Sequence, residues 1–165
     1  MSSDISAERM DEISKILDNL RRQCSRREYC STDVLKKAEK ALNGDKEQAR
    51  KVLQALVEDR YVDDLRYSSA FARDKSSISG WGEAKIRYML SAKGISKDII
   101  ALALDDIDVS KAGARLEKVL ENKYRSLKDD PQWRLKLIRF ALGRGYSYDD
   151  VDEYLKRLWK NTTES

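Results

Sequence analysis

Apolar residues recur along this chain every three or four positions, and each run marks one face of a helix. Ile13, Ile16, Leu17 and Leu20 form the first stripe, which Cys24 extends. Ala49, Val52, Leu53, Leu56 and Val57 form a second. Ile86, Met89 and Leu90 form a third, with the stem of Lys93 placed to cover its apolar end. Ile100, Ala103, Leu104 and Ile107 follow, then Leu116, Val119, Leu120 and Tyr124, then Val151, Tyr154, Leu155, Leu158 and Trp159. No alternating strand pattern of useful length competes with these. A one-sided stripe needs a neighbour, so the pattern predicts amphipathic helices packed on one another.

Three glycines, Gly44, Gly94 and Gly145, separate helical stretches at a near-constant spacing of about 50 residues. The runs Lys93-Gly94-Ile95-Ser96 and Arg144-Gly145-Tyr146-Ser147 are closely alike. In each, the glycine ends one helix and the serine is placed to N-cap the next. Asn43-Gly44-Asp45 keeps the glycine and offers Asp45 as the cap. The period predicts three similar modules, each too small to bury its apolar face alone. Their expected extents are 7–59, 60–107 and 108–160, with three helices in each and further breaks near 26–31, 76–80 and 128–131. Pro131 fits the first turn of its helix, capped by Asp129 or Asp130. The expected fold is all-α: three tandem three-helix repeats in an elongated, curved array, stacked on one shared core. The tail from Asn161 is expected to fray.

Composition supports a nearly all-helical chain: one proline and seven glycines in 165 residues, with 38% charged. No run of about 20 apolar residues is present, so no membrane span is expected. The first residues lack the basic and apolar regions of a signal peptide. Cys24 and Cys30 fit a reducing compartment, and core packing or partial exposure is expected of them rather than a redox role. A cytoplasmic monomer is expected.

Candidate chemistry is sparse. The chain has no histidine, which removes the commonest general base and metal ligand. Two cysteines without histidine cannot close an ordinary zinc site. Gly80-Trp81-Gly82 lacks the lysine and hydroxyl of a phosphate loop. The acidic pairs Asp63-Asp64, Asp105-Asp106, Asp129-Asp130 and Asp149-Asp150 fall mostly at helix starts or module boundaries, where capping favours aspartate over a two-metal site. No enzyme, cofactor or metal is expected.

Charge is more informative in its distribution than in its net value of +4. Residues 66–97 carry seven basic and two acidic side chains, and 111–144 carry ten and four. The first 65 residues are balanced, at 13 basic and 14 acidic. Two basic segments in consecutive modules form a stripe suited to an anionic partner. Tyr67, Phe71, Trp81 and Tyr88 are interleaved with bases there. Tyrosine, tryptophan and arginine are the types enriched at interface hot spots. The candidate partner-binding set is therefore Arg66, Tyr67, Arg73, Lys75, Trp81, Lys85, Arg87 and Lys93 in the second module, with Arg115, Lys118 and Arg125 in the third.

The stretch Arg60-Tyr-Val-Asp-Asp-Leu-Arg-Tyr-Ser-Ser-Ala-Phe-Ala-Arg73, then Gly80, then Lys85-Ile-Arg-Tyr-Met-Leu-Ser-Ala-Lys-Gly-Ile95, resembles the core signature of the RecX family. Arg27-Glu-Tyr-Cys-Ser-Thr-Asp-Val-Leu35 resembles that family's first-module helix start, with Cys30 where serine is more usual. Asp63, Asp64, Arg66, Phe71, Arg73, Gly80, Leu90, Lys93, Gly94 and Ile95 match motif positions and read as mostly structural. The resemblance implies three tandem three-helix repeats and no catalytic residues. It further implies binding to the RecA–DNA filament, restraint of its growth, ATPase activity and strand exchange, and so a role in recombination, DNA repair and the SOS response. Direct binding of single- or double-stranded DNA is implied for some members. The alternative from the residues alone is a helix-turn-helix DNA reader, with its reading helix starting near Ser96 or Ser147. The apolar or acidic residues that follow those serines argue against it.

Overall fold

The computed structural model describes residues 2–107 and 109–164; Asp108, the expected start of the third module, lies outside them. Among the described residues there are nine helices and no strand. They are α1 (Ser2–Arg26), α2 (Ser31–Ala41), α3 (Lys46–Glu58), α4 (Asp64–Ser77), α5 (Glu83–Ala92), α6 (Lys97–Asp105), α7 (Val109–Leu127), α8 (Trp133–Gly143) and α9 (Tyr148–Thr163).

Local chemistry sets these boundaries. Asp45 accepts from the Gln48 amide at 3.2 Å to open α3, and Asp63 from the Arg66 amide at 3.0 Å to open α4. Ser96 accepts from the Ile99 amide at 3.3 Å, and Ser147 from the Asp150 amide at 3.2 Å, opening α6 and α9. Such a cap contributes about 1 kcal/mol by satisfying a donor that the first turn leaves open. Gly94 and Gly145 end α5 and α8 at φ +78° and +94°, where a Cβ costs roughly 1–2 kcal/mol.

One expected cap is different. Helix α8 begins at Trp133, so Pro131 lies in the turn ahead of it, and Gln132 holds the N-cap position without a side-chain bond. Asp130 instead accepts from the Gln132 amide at 2.8 Å and pairs with Lys136. A carboxylate two residues upstream closes a turn more readily than it starts a helix here. Val57 and Met89 are also exposed. Ile86 and Leu90 hold the centre of the α5 stripe, and Met89 falls to its side.

The expected single core is divided into three apolar clusters. Leu20, Val34, Leu42, Val52 and Leu56 anchor the first, among α1–α3. Ile86, Leu90, Ile95, Ile100 and Leu104 anchor the second, with Ala72 of α4. Leu116, Leu120, Leu137, Val151 and Leu155 anchor the third, among α7–α9. Cys30 is the exception: it precedes α2 but is fully buried in the second cluster. The small buried residues Ser68, Ala72 and Ser76 give α4 a narrow face, and its widest contact is with α6. The molecule exposes 11191 Å², against about 8400 Å² for a compact chain of this mass. That excess fits an elongated stack, to which the exposed first turns of α1 also add.

Candidate partner-binding surface

The two junctions between helix triplets position everything on this surface. At the first, Cys30 stands at the α2 N-cap and makes no capping bond. Asp64, from the start of α4, takes over and accepts from the Ser31 amide at 2.7 Å. Lys93 Nζ lies 3.1 Å from both carboxylate oxygens of Asp33. Arg66 donates to Glu28 at 2.5 Å and to the Arg60 carbonyl at 3.0 Å. Burial is the largest single influence on Asp33 and opposes its ionisation. The hydrogen bonds from Lys93 and Cys30 and the charges of Lys93 and Lys36 together outweigh it and hold the carboxyl below its usual range. The bond to Asp33 likewise raises the Lys93 ammonium above its usual value, and the bond to Glu28 raises the Arg66 guanidinium. Arg66 and Lys93, two of the expected partner contacts, are thus engaged in fastening the first triplet to the second.

The second junction is built from backbone. Gly82 N donates to the Arg144 carbonyl at 2.7 Å, and Ala84 N to the Gly145 carbonyl at 3.1 Å. A Cβ on Gly82 would lie 2.4 Å from the carbonyl carbon and oxygen of Gly145, and one on Gly145 would lie 2.4 Å from Lys85 Cβ. Only glycine allows this approach. Arg144 Nη1 donates to the Ser79 carbonyl at 2.6 Å, and the Tyr146 hydroxyl to the Gly80 carbonyl at 2.8 Å. Both junctions share one scheme. The glycine turn of the later triplet seats on the start of the earlier triplet's middle helix: Lys93-Gly94 on α2, Arg144-Gly145 on α5.

Around the second junction the remaining candidates gather. Trp81 is bracketed by Lys75 Nζ at 4.7 Å and Lys85 Nζ at 4.2 Å from its ring centre. Cation–π contacts of this kind hold two ammonium groups on an aromatic platform. Phe71 meets Trp81 edge-on at 6.2 Å and Tyr67 stacks on Phe71 at 6.1 Å, so these three rings are half-buried against the second cluster while Tyr88 is exposed. Arg115 of α7 donates to Ser76 of α4 at 2.5 Å. Arg73 and Lys118 are exposed. Arg87 pairs with Glu83 at 2.7 Å and Arg125 with Glu121 at 3.9 Å along their own helices.

A second cation–aromatic group escaped the sequence reading. Lys123 and Arg144 flank the Phe140 ring at 4.9 Å and 5.1 Å. The match between Lys93-Gly94 and Arg144-Gly145 was the signal for Arg144; nothing local marked Phe140. The helices considered as DNA readers bury Ile100, Ala103 and Leu104 of α6 and Val151, Tyr154 and Leu155 of α9, and α9 opens on Asp149 and Asp150. Among the described residues no cluster of three metal-ligating side chains occurs, and no helix is long and apolar enough to cross a membrane.

Comparisons with known proteins agree with the resemblance read in residues 60–95. The family model for the second three-helix domain of RecX matches residues 63–104, and that for the third three-helix domain matches 114–155. The regulatory protein RecX of Clostridium tetani is 32% identical over 118 residues, 69% of this chain and 54% of that protein. That of Clostridium perfringens (strain 13) is 32% identical over 130 residues, 76% of this chain and 59% of its own length. The chain therefore spans a little over half the length of these curated relatives. A crystal structure of regulatory protein RecX superposes with a TM-score of 0.83 at 20% identity, covering 94% of this chain and 78% of its own. That of RecX from Lactobacillus salivarius gives 0.76 at 21% identity, covering 90% and 97%. These two show the same fold. On its domain matches and its sequence relatives, the chain belongs to the RecX family of regulatory proteins.

Proposed function

We propose that this protein binds the RecA–DNA filament and inhibits its growth and activity, without catalysis of its own and in the cytoplasm. The observation that carries the reading is the concentration of cations and half-buried rings around Trp81, at a junction of an elongated array in a RecX-family chain. In this reading the repeats 7–59, 60–107 and 108–160 act as successive contact units along the filament's helical groove. Modest contacts on neighbouring protomers then combine through effective concentration. Basic faces speed association with a polyanionic filament. Arg73, Lys75, Trp81, Lys85, Arg115 and Lys118 are the contact residues favoured, because Arg66, Arg87, Lys93 and Arg125 already have acidic partners. Direct contact with DNA phosphates would make binding fall with salt, by about 0.7–0.9 in the logarithmic slope per phosphate.

The test is RecA's single-strand-DNA-dependent ATPase rate, titrated with this protein. Inhibition well below one molecule per RecA is the expected result and points to blocked filament growth. An unchanged rate with folded protein overturns the reading.

A further inference from the structure

The second and third triplets meet around a cleft whose lining shares Arg73, Trp81 and Arg115 with the proposed filament contacts. Its inner part is a cavity of about 320 Å³ walled by Trp81, Ile86, Leu104, Ile107, Leu116 and Tyr146. Small-molecule sites have this size and apolar character, carry a few placed polar groups, and favour the junctions between packed units. The polar groups here include two carboxylates, Glu83 and Asp150. Arg115 also lines the cavity, fixed by its bond to buried Ser76. The same Arg115 and Ser76 line an adjoining cavity of about 230 Å³, together with Arg73 and Lys111. Asp106 is the one carboxylate among the described residues lining that second cavity. Three cations outnumber the carboxylate among the described residues that line it, and no described carboxylate is ion-paired with any of the three.

We infer that this cleft binds a nucleoside phosphate. The base occupies the apolar cavity beside the Trp81 and Tyr146 rings, where flat aromatic surfaces gain from stacked or edge contacts. Its amino donors face Asp150 and the carboxylate of Glu83 that also accepts from Arg87, groups that only accept when ionised. The phosphate lies across Arg73, Lys111 and Arg115, whose charged donors make the strongest class of hydrogen bond to it. Arg115, with Ser76 and Ile107, lines both parts and so joins them into one cleft. Such a ligand bridges α4 and α7 and so couples the second triplet to the third. It could arrive free or as one unit of a single strand.

Equilibrium dialysis of the full chain against guanosine 5′-monophosphate tests this, with guanosine and inorganic phosphate as separate probes. Retention with a dissociation constant below about 1 mM is expected, with each half-ligand at least about tenfold weaker. The double variant Arg73→Glu and Lys111→Glu, two exposed sites whose helicity is checked by circular dichroism, should weaken the nucleotide by about tenfold or more. Displacement by excess guanine-containing single strand assigns the site to a strand unit; undisturbed retention assigns it to the free nucleotide. No retention of the nucleotide, or retention that the double variant leaves unchanged, overturns the proposal.

Discussion

The two junctions follow one plan with opposite chemistry. Between the first and second triplets the seated turn is held by side-chain charge: Lys93 on Asp33, Arg66 on Glu28, and Asp64 on the Ser31 amide. Between the second and third it centres on main chain, with Gly82 and Gly145 in contact and two amide–carbonyl bonds beside them. Bonds from the Arg144, Tyr146 and Arg115 side chains flank these, without an ion pair between described residues of the two triplets. Partly exposed ion pairs are individually weak and yield to salt. Uncharged backbone contact is indifferent to salt and is broken most directly by a change of residue. A similar tertiary arrangement can thus be made adjustable at one joint and rigid at the next.

Substitutions should separate the two. Gly82→Ala carries the largest expected effect, because its Cβ would overlap the Gly145 carbonyl. A loss of about 3 kcal/mol, in the class of severe backbone strain, is expected in thermal unfolding, with faster amide exchange in α8 and α9. Gly94→Ala should cost about 1–2 kcal/mol from its φ of +78°, plus whatever the 3.0 Å approach to Thr32 Oγ1 adds. Adding Thr32→Ala should return the second part only. Gly44→Ala isolates backbone strain: its φ is +88° but nothing lies within 4 Å of the new Cβ, so about 1 kcal/mol is expected. Recovery of full stability in either Gly94 variant would show that left-handed strain is absent there.

Asp33→Asn should cost the least, below about 1 kcal/mol, since the pair is partly exposed. Raising salt should shrink the difference between it and the unaltered protein, measured by denaturant unfolding. The pH dependence has a definite sign. The Asp33 carboxyl is depressed in the folded chain, so its contribution is present above the ordinary carboxylate range and is lost as pH falls through the lowered value. The Lys93 ammonium is raised, so its contribution is present below the ordinary lysine range and is lost as pH rises through the raised value. Acid should therefore loosen the first junction before the second, visible as earlier exchange at the Ser31 and Thr32 amides. Simultaneous loosening of both would remove the contrast.

The helices and their caps were legible because they depend on near neighbours: the stripe at Ile100, Ala103 and Leu104, or Ser96 three residues from the amide it caps. The glycine spacing also revealed a repeat, although not that its turns were the joints. Periodicity states that a face needs a partner without naming it, which is why one core was expected where three formed. The contact surface was harder to read for the same reason. Arg66 and Lys93 look like free cations in sequence, but their acids stand 38 and 60 positions away. Trp81 was legible as a ring among bases; the Phe140 group was not, since Lys123 meets it only through the fold.

Cys30 turns one of these joints into a gauge. Its sulfur is sealed in the second triplet's interior, and burial pushes its thiol pKa up, while Cys24 is buried within the first. Alkylation of Cys30 then requires the first joint to part, whereas Cys24 reports the loosening of its own triplet. The ratio of the two labelling rates reads how often the array flexes without melting, in the unaltered molecule and with no dye attached.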